Sequence, residues 1–151
     1  MNKNDKNLLY LITILLDISL LGIMYFTKTT NYENIWIIAT LLCHIVFYFA
    51  LNKRYVKLLD FLHISVFVLP SLSIFMKNIY IKLLSLILLI LIHILWIIKD
   101  RCIMMMDDMY NFGFGKKIKV YVIFICMILS FQIGNSFPIK EGEVEIIKNN
   151  I

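Results

Sequence analysis

Three histidines are the residues of this sequence best able to do chemistry, because each lies inside a strongly apolar segment. His44 lies in TLLCHIVFYF, His63 in DFLHISVFV and His93 in LILIHILWII. Two aspartates, Asp17 and Asp60, also fall within apolar stretches. Imidazoles and carboxylates bind metals and carry protons, and imidazoles ligate haem. What they do here depends on whether the surrounding elements bring them together.

The composition indicates a membrane protein. The chain has 151 residues, of which 61% are hydrophobic, and its mean hydropathy is +0.84, whereas a soluble domain is about half apolar. The net charge of +5 does not indicate nucleic acid binding, because the basic residues lie singly or in short clusters between apolar runs. The three cysteines form no C-x-x-C pair, which argues against a disulfide framework or a zinc site.

Five apolar stretches predict an all-α integral membrane bundle, since a bilayer core needs roughly 20 apolar residues per helix. The predicted spans are 8–27, 34–51, 58–76, 79–98 and 118–134. The last span is short and carries Lys119 and Gln132, so a four-span protein is the alternative. Residues 1–7 form a short N-terminal tail, residues 8–135 the bundle, and residues 136–151 a polar C-terminal tail.

The distribution of basic residues predicts the orientation of the bundle. With the N-terminus in the cytoplasm, about 10 Lys and Arg residues fall on the inner side and about five on the outer side. This bias favours an arrangement with the N-terminus inside and the C-terminus outside. The predicted loops of the helical hairpins are short, so consecutive helices are expected to pack antiparallel as neighbours.

The three histidines are expected at similar depths in one leaflet. Counted along each helix to the cytoplasmic end, the depths of His44, His63 and His93 are about 12, 9 and 9 Å. Asp17 is predicted roughly 15 Å deep, and Asp60 lies nearer the surface. Because intramembrane ionisable residues avoid lipid, these side chains are expected to point into the bundle.

This polar layer has three possible roles. The first is hydrogen bonding between helices, with neutral imidazoles and Asp17 satisfying one another. The second is a metal or haem site that uses His44, His63 and His93, with Asp17 or Asp60 as a further ligand. The third and fourth spans contain neither Gly nor Ala, so a small ion fits better than a haem. The third role is a path for protons or substrate through the Asp and His groups.

A motif-like run begins at His93 and reads H-x-x-W-x-x-x-D-x-C-x-M-M-x-x-D. It resembles a feature of small, uncharacterised four-helix membrane proteins of bacteria and large DNA viruses. These carry a helix-terminal His, then Asn or Asp, then Cys-x-Leu-Thr-x-x-Glu. His93, Asp100 and Cys102 match this pattern, Asp108 stands at the Glu position, and Met105 departs from the Thr. The resemblance implies a membrane protein, plausibly viral, in which these residues form one unit at a helix end.

Together these features favour a non-enzymatic, multi-pass membrane protein of structural or accessory role in a cellular or viral membrane. The runner-up is a metal- or haem-binding redox membrane protein, and a small pore or transporter is the third candidate. The expected partners are the lipid bilayer and either further copies of the chain or other membrane proteins. No nucleic acid partner is expected.

Overall fold

Five α-helices make up most of the described chain. The computed structural model describes residues 3–99 and 115–136, with the side chains of these residues except at positions 60 and 115–119. The helices are α1 Lys3–Phe26, α2 Asn31–Lys53, α3 Val56–Leu72, α4 Ile79–Lys99 and α5 Gly115–Ser136. A 3₁₀ turn, Ser73–Phe75, follows α3. Within these residues there is no strand, which confirms the all-α prediction for this part of the chain.

Local sequence signals fix several helix ends. Thr30 and Glu33 form a reciprocal capping box that starts α2, since each side chain bonds the backbone N–H of the other residue. The helix stops at Arg54, which has a left-handed backbone with φ of 57°, so the chain reverses there into α3. Pro70 lies in the last turn of α3, just before the backbone tightens into the 3₁₀ turn.

The first four helices form a closed bundle. Each packs against the next in chain order, and α4 packs back against α1. Asp5 of α1 and Lys99 of α4 form an ion pair of 3.2 Å, so the start of α1 and the end of α4 share what we call the Asp5 end. The opposite end, which carries the α1–α2 and α3–α4 connections, is called the Glu33 end.

The bundle has an apolar exterior as well as an apolar core. Leu15, Ile18, Ile45, Phe61 and Ile97 are each more than half exposed, which is unfavourable in water for so many large side chains. The first four helices, with α3 extended to Phe75, are long and apolar enough to cross a membrane. The described apolar part of α5, Val120–Ser136, is shorter than these four helices. The count of five spans therefore stays a prediction, and so does the placement of the N-terminus in the cytoplasm.

The fifth helix packs outside the bundle and runs parallel to α4, not antiparallel as predicted. The Tyr121 hydroxyl donates to Ser71 Oγ at 2.9 Å, which places the first part of α5 at the Glu33 end. Leu129 lies further along α5 and is fully buried in a cluster with Leu89 and Trp96 of α4. An α5 of opposite direction would carry Leu129 beyond the Glu33 end, away from those partners. The expectation that neighbouring helices are antiparallel came from short hairpin loops, and it does not hold for α4 and α5. The described end of α5 lies on the same side of the bundle as the start of α1, which does not fit the predicted arrangement of an inside N-terminus and an outside C-terminus.

Candidate functional site

A polar cluster joins α1 to α2 near the middle of both helices, and we call it the Asp17 cluster. Oδ1 of Asp17 lies 2.5 Å from Nδ1 of His44, and the Tyr48 hydroxyl donates to Oδ2 of Asp17 at 2.9 Å. His44 and Tyr48 are four residues apart, so one face of α2 presents both side chains to the same carboxylate. Asp17 and His44 each lie about 14 Å from the nearer end of their helix.

Aromatic contacts extend the Asp17 cluster toward the Asp5 end. The rings of Tyr10 and Tyr48 stack with centroids 5.7 Å apart. The ammonium group of Lys6 lies 5.6 Å from the Tyr10 ring centroid, within the range of a cation–π contact. These rings fix the orientation of Tyr48, and through it the second hydrogen bond to Asp17.

The Asp17–His44 contact defines what this pair can do with a proton. A contact of 2.5 Å between a carboxylate oxygen and a ring nitrogen requires a proton between them, on one atom or the other. The pair has no net charge in two states: carboxylic acid with neutral imidazole, or carboxylate with imidazolium. In both of these states Nε2 of His44 carries a hydrogen and is a donor, whereas with an ionised Asp17 beside a neutral imidazole the hydrogen lies on Nδ1 and Nε2 is an acceptor.

A cavity of about 110 Å³ lies at the centre of the first four helices, and its wall is mostly apolar. His44 and His63 both border it, whereas Asp17 does not. Hydroxyl groups also border it, but Thr13 and Thr40 donate to carbonyls of their own helices. The Asp17 cluster therefore reaches the cavity through the imidazole of His44.

The three histidines do not form one cluster with the aspartates in the described residues. His44 pairs with Asp17, His63 packs against the Phe67 ring at 5.7 Å, and His93 packs against the Trp96 ring at 6.3 Å. Nδ1 of His93 is buried without a hydrogen bond to the described residues. Among those residues, no group of three His, Cys, Asp or Glu side chains is placed to hold a metal ion.

Several predicted site residues fall outside this description. Asp100, Cys102 and Asp108 lie outside the described residues, and so does the side chain of Asp60. The predicted unit of His93, Asp100 and Cys102 at the end of α4 therefore stays a prediction. So does a metal ion or haem that would draw a ligand from Asp60.

A buried carboxylate, Glu33, was missed as a candidate residue. The Glu33 side chain is 1% exposed, and its Oε1 accepts the backbone N–H groups of Lys77 and Asn78 at 2.7 Å each. Its Oε2 accepts the backbone N–H and the hydroxyl of Thr30 at 2.8 and 3.0 Å. One carboxylate thus holds the α1–α2 connection against the α3–α4 connection.

Asn78 extends this network, which we call the Glu33 cluster. Its Nδ2 donates to Thr27 Oγ1 at 2.7 Å and to the Lys28 carbonyl at 3.2 Å. Its Oδ1 accepts the backbone N–H of Tyr80 at 2.9 Å, which satisfies the start of α4. A sequence signal for Glu33 existed, since T-x-x-E before an apolar run is the pattern of a capping box. It predicts the bond to Thr30 but not the contact with the α3–α4 connection.

Comparisons with known proteins indicate neither a family nor a function for the chain. No protein-family model, curated protein or solved structure matches the chain. The resemblance of the run from His93 to Asp108 to small four-helix membrane proteins therefore stays a prediction, and function has to be argued from the geometry.

Proposed function

We propose that this chain is a multi-pass integral membrane protein with a structural or accessory role. Helices α1–α4 cross the bilayer, and the Asp17 cluster holds α1 and α2 together within it. The partners are the lipids around the apolar exterior and, on the exposed faces, further copies of the chain or other membrane proteins.

The observation that carries this proposal is that both carboxylate oxygens of Asp17 are hydrogen-bonded to side chains of one neighbouring helix, α2. Both carboxylate oxygens are bonded, one to His44 and one to Tyr48. In hydrocarbon, polar side chains stabilise a bundle by bonding across helices. A carboxylate used in this way supports the association of α1 with α2.

The alternatives find less support in the same geometry. A redox or metal-binding role needs several ligands around one point, and the described residues form no such group. A proton path or pore needs polar groups in sequence along the bundle, whereas the central cavity has a mostly apolar wall. Thr13 and Thr40 in that wall donate within their own helices.

Four measurements on the full-length chain test the proposal, the first on isolated membranes and the others on purified protein. We expect it to stay in the membrane fraction during an alkaline carbonate wash. We expect no stoichiometric metal by elemental analysis and no haem absorption band. Proteoliposomes loaded with a pH-sensitive dye should show the same proton leak with the wild type, the Asp17→Asn variant and no protein. One metal per chain, or a leak abolished by Asp17→Asn, would replace the structural role with the corresponding alternative.

A further inference from the structure

The central cavity has the size and the wall of a site for a small apolar molecule. Its volume of about 110 Å³ is of the same order as a cavity of about 150 Å³ lined by Leu, Ile and Phe that stays dry and takes benzene. Side chains from all four bundle helices line it, among them Leu16, Phe47, Val66 and Leu88. A mostly apolar wall disfavours water, which needs two to four polar partners.

The wall also contains side chains on α2 and α4 that can donate a hydrogen bond to a ligand. Three of its four hydroxyl groups, those of Thr13, Thr40 and Ser65, donate to carbonyls of their own helices. The fourth, on Ser85 of α4, makes no hydrogen bond within the described residues, although the side chain is only 4% exposed. The second donor is Nε2–H of His44 on α2, which is protonated in both uncharged states of the Asp17–His44 pair.

We propose that this cavity binds the carbonyl-bearing end of a small, otherwise apolar molecule taken from the bilayer. The carbonyl oxygen accepts a hydrogen bond from His44 or Ser85, and the carbon framework fills the apolar space. A carbonyl suits the wall because it accepts without needing an acceptor in return. This inference goes beyond the structural role proposed above, and a protein without such a ligand would still hold its helices together.

Two sources offer this chemistry in a membrane: the ring ketone of a lipid quinone and the ester of a glycerolipid. The probes are therefore cyclopentanone, a ring ketone with six heavy atoms like benzene, and methyl acetate, a small ester. Methylenecyclopentane is the matched control for the ketone, because a C=CH₂ group replaces the carbonyl and leaves the shape unchanged.

The readout is nuclear magnetic resonance of full-length protein labelled with ¹⁵N at histidine, in detergent micelles. The chain has only three histidines, and the signal of His44 is identified by its loss in the His44→Phe variant. We expect cyclopentanone to produce a saturable shift of the His44 Nε2 signal, and methylenecyclopentane to bind about fivefold more weakly. Saturation by cyclopentanone alone points to a ring ketone, and saturation by methyl acetate points to an ester; either supports a carbonyl site.

Three variants separate the cavity from the rest of the bundle. Leu88→Phe fills the cavity and should abolish the saturable shift, whereas Ile87→Phe adds the same ring to a position that is 53% exposed and should not. Ser85→Ala removes one donor with little change of shape and should weaken cyclopentanone binding about two- to fivefold. The proposal is overturned if neither carbonyl probe produces a saturable shift, if ketone and hydrocarbon bind equally, or if the two Phe variants have equal effects.

Discussion

The carboxylates of Glu33 and Asp17 are bonded in different ways. Glu33 sits where two connections meet, and three of its four donors are backbone N–H groups, from Thr30, Lys77 and Asn78. Asp17 sits in the middle of a helix, and both of its hydrogen-bond partners are side chains of α2. The two residues differ in side-chain length by one methylene, so the difference comes from their place in the fold.

Helix geometry explains this contrast. The first N–H groups of every helix lack a partner within that helix, so a carboxylate near a helix start finds backbone donors already in place. In mid-helix every backbone N–H is bonded to a carbonyl of the preceding turn, and a carboxylate must take its donors from side chains of a neighbour. Glu33 therefore depends on the backbone path of two connections, and Asp17 on the identity of two residues.

The largest expected effect in this comparison comes from Glu33→Ala. The change leaves the buried N–H groups of Lys77 and Asn78 without an acceptor and removes the side-chain half of the α2 cap. Each unsatisfied buried donor costs about 1–3 kcal/mol, so we expect the free energy of unfolding to fall by about 3 kcal/mol or more. Reversible denaturation of the detergent-solubilised protein measures this loss.

A neighbouring substitution provides the control for Glu33→Ala. Asn31→Ala lies in the same first turn of α2, but its side chain is exposed, so its effect should stay within about 0.5 kcal/mol. If the two variants lose similar stability, the contacts of Glu33 with the α3–α4 connection contribute little, and the contrast with Asp17 fails.

A smaller effect is expected from the hydrogen bonds of the Asp17 cluster. Asp17→Asn removes the carboxylate that accepts from the Tyr48 hydroxyl, Tyr48→Phe removes the donor, and the double variant completes a thermodynamic cycle. Cross-helix hydrogen bonds in membranes couple by about 0.6 kcal/mol on average, with values up to about 1.7. We expect a coupling in this range from the unfolding free energies of the four proteins.

The matched control for this cycle replaces Tyr48→Phe with Tyr32→Phe. The Tyr32 ring lies on α2 but is 55% exposed near the Glu33 end, far from Asp17. Its cycle with Asp17→Asn should show no coupling beyond about 0.3 kcal/mol. Equal coupling in both cycles would mean that Asp17→Asn acts on the whole bundle and that the bond to Tyr48 is not specific.

The sequence predicted the positions of the helices better than the contacts between them. Hydropathy located the first four helices to within a few residues and also found α5, because apolar length depends only on local composition. The need to shield a charge from lipid predicted that Asp17 points inward. The pairing of Asp17 with His44 depends on the vertical offset of α1 against α2, which no local pattern encodes.

The convergence of three histidines was a weaker prediction for a related reason. Equal depth along separate helices does not fix how each helix is rotated about its axis, and packing of the apolar side chains decides that rotation. His63 and His93 accordingly pack against the aromatic rings of Phe67 and Trp96. The capping-box pattern predicts the bond between Glu33 and Thr30. The bonds from Lys77 and Asn78 depend on tertiary packing, because these residues lie 44 and 45 positions after Glu33 in the chain.

The smallest expected change in the free energy of unfolding comes from the contact between Tyr121 and Ser71, which defines the direction of α5. Tyr121→Phe removes a single exposed hydrogen bond to Ser71, so the unfolding free energy should change by less than about 0.5 kcal/mol. Geometry provides a sharper test than energy here. In a chain whose three native cysteines are replaced by Ala, Ser71→Cys combined with Tyr121→Cys should cross-link readily.

The pairing of Ser71→Cys with Asn135→Cys is the matched control, because Asn135 lies at the far end of α5. With α5 parallel to α4, residue 135 lies about 20 Å further along the axis than residue 121, toward the Asp5 end, and a short thiol cross-linker cannot span that distance. An antiparallel α5 would reverse the two results. Since α5 lies outside the closed bundle, either outcome leaves the contrast between Glu33 and Asp17 unchanged and decides only how the fifth helix is added to it.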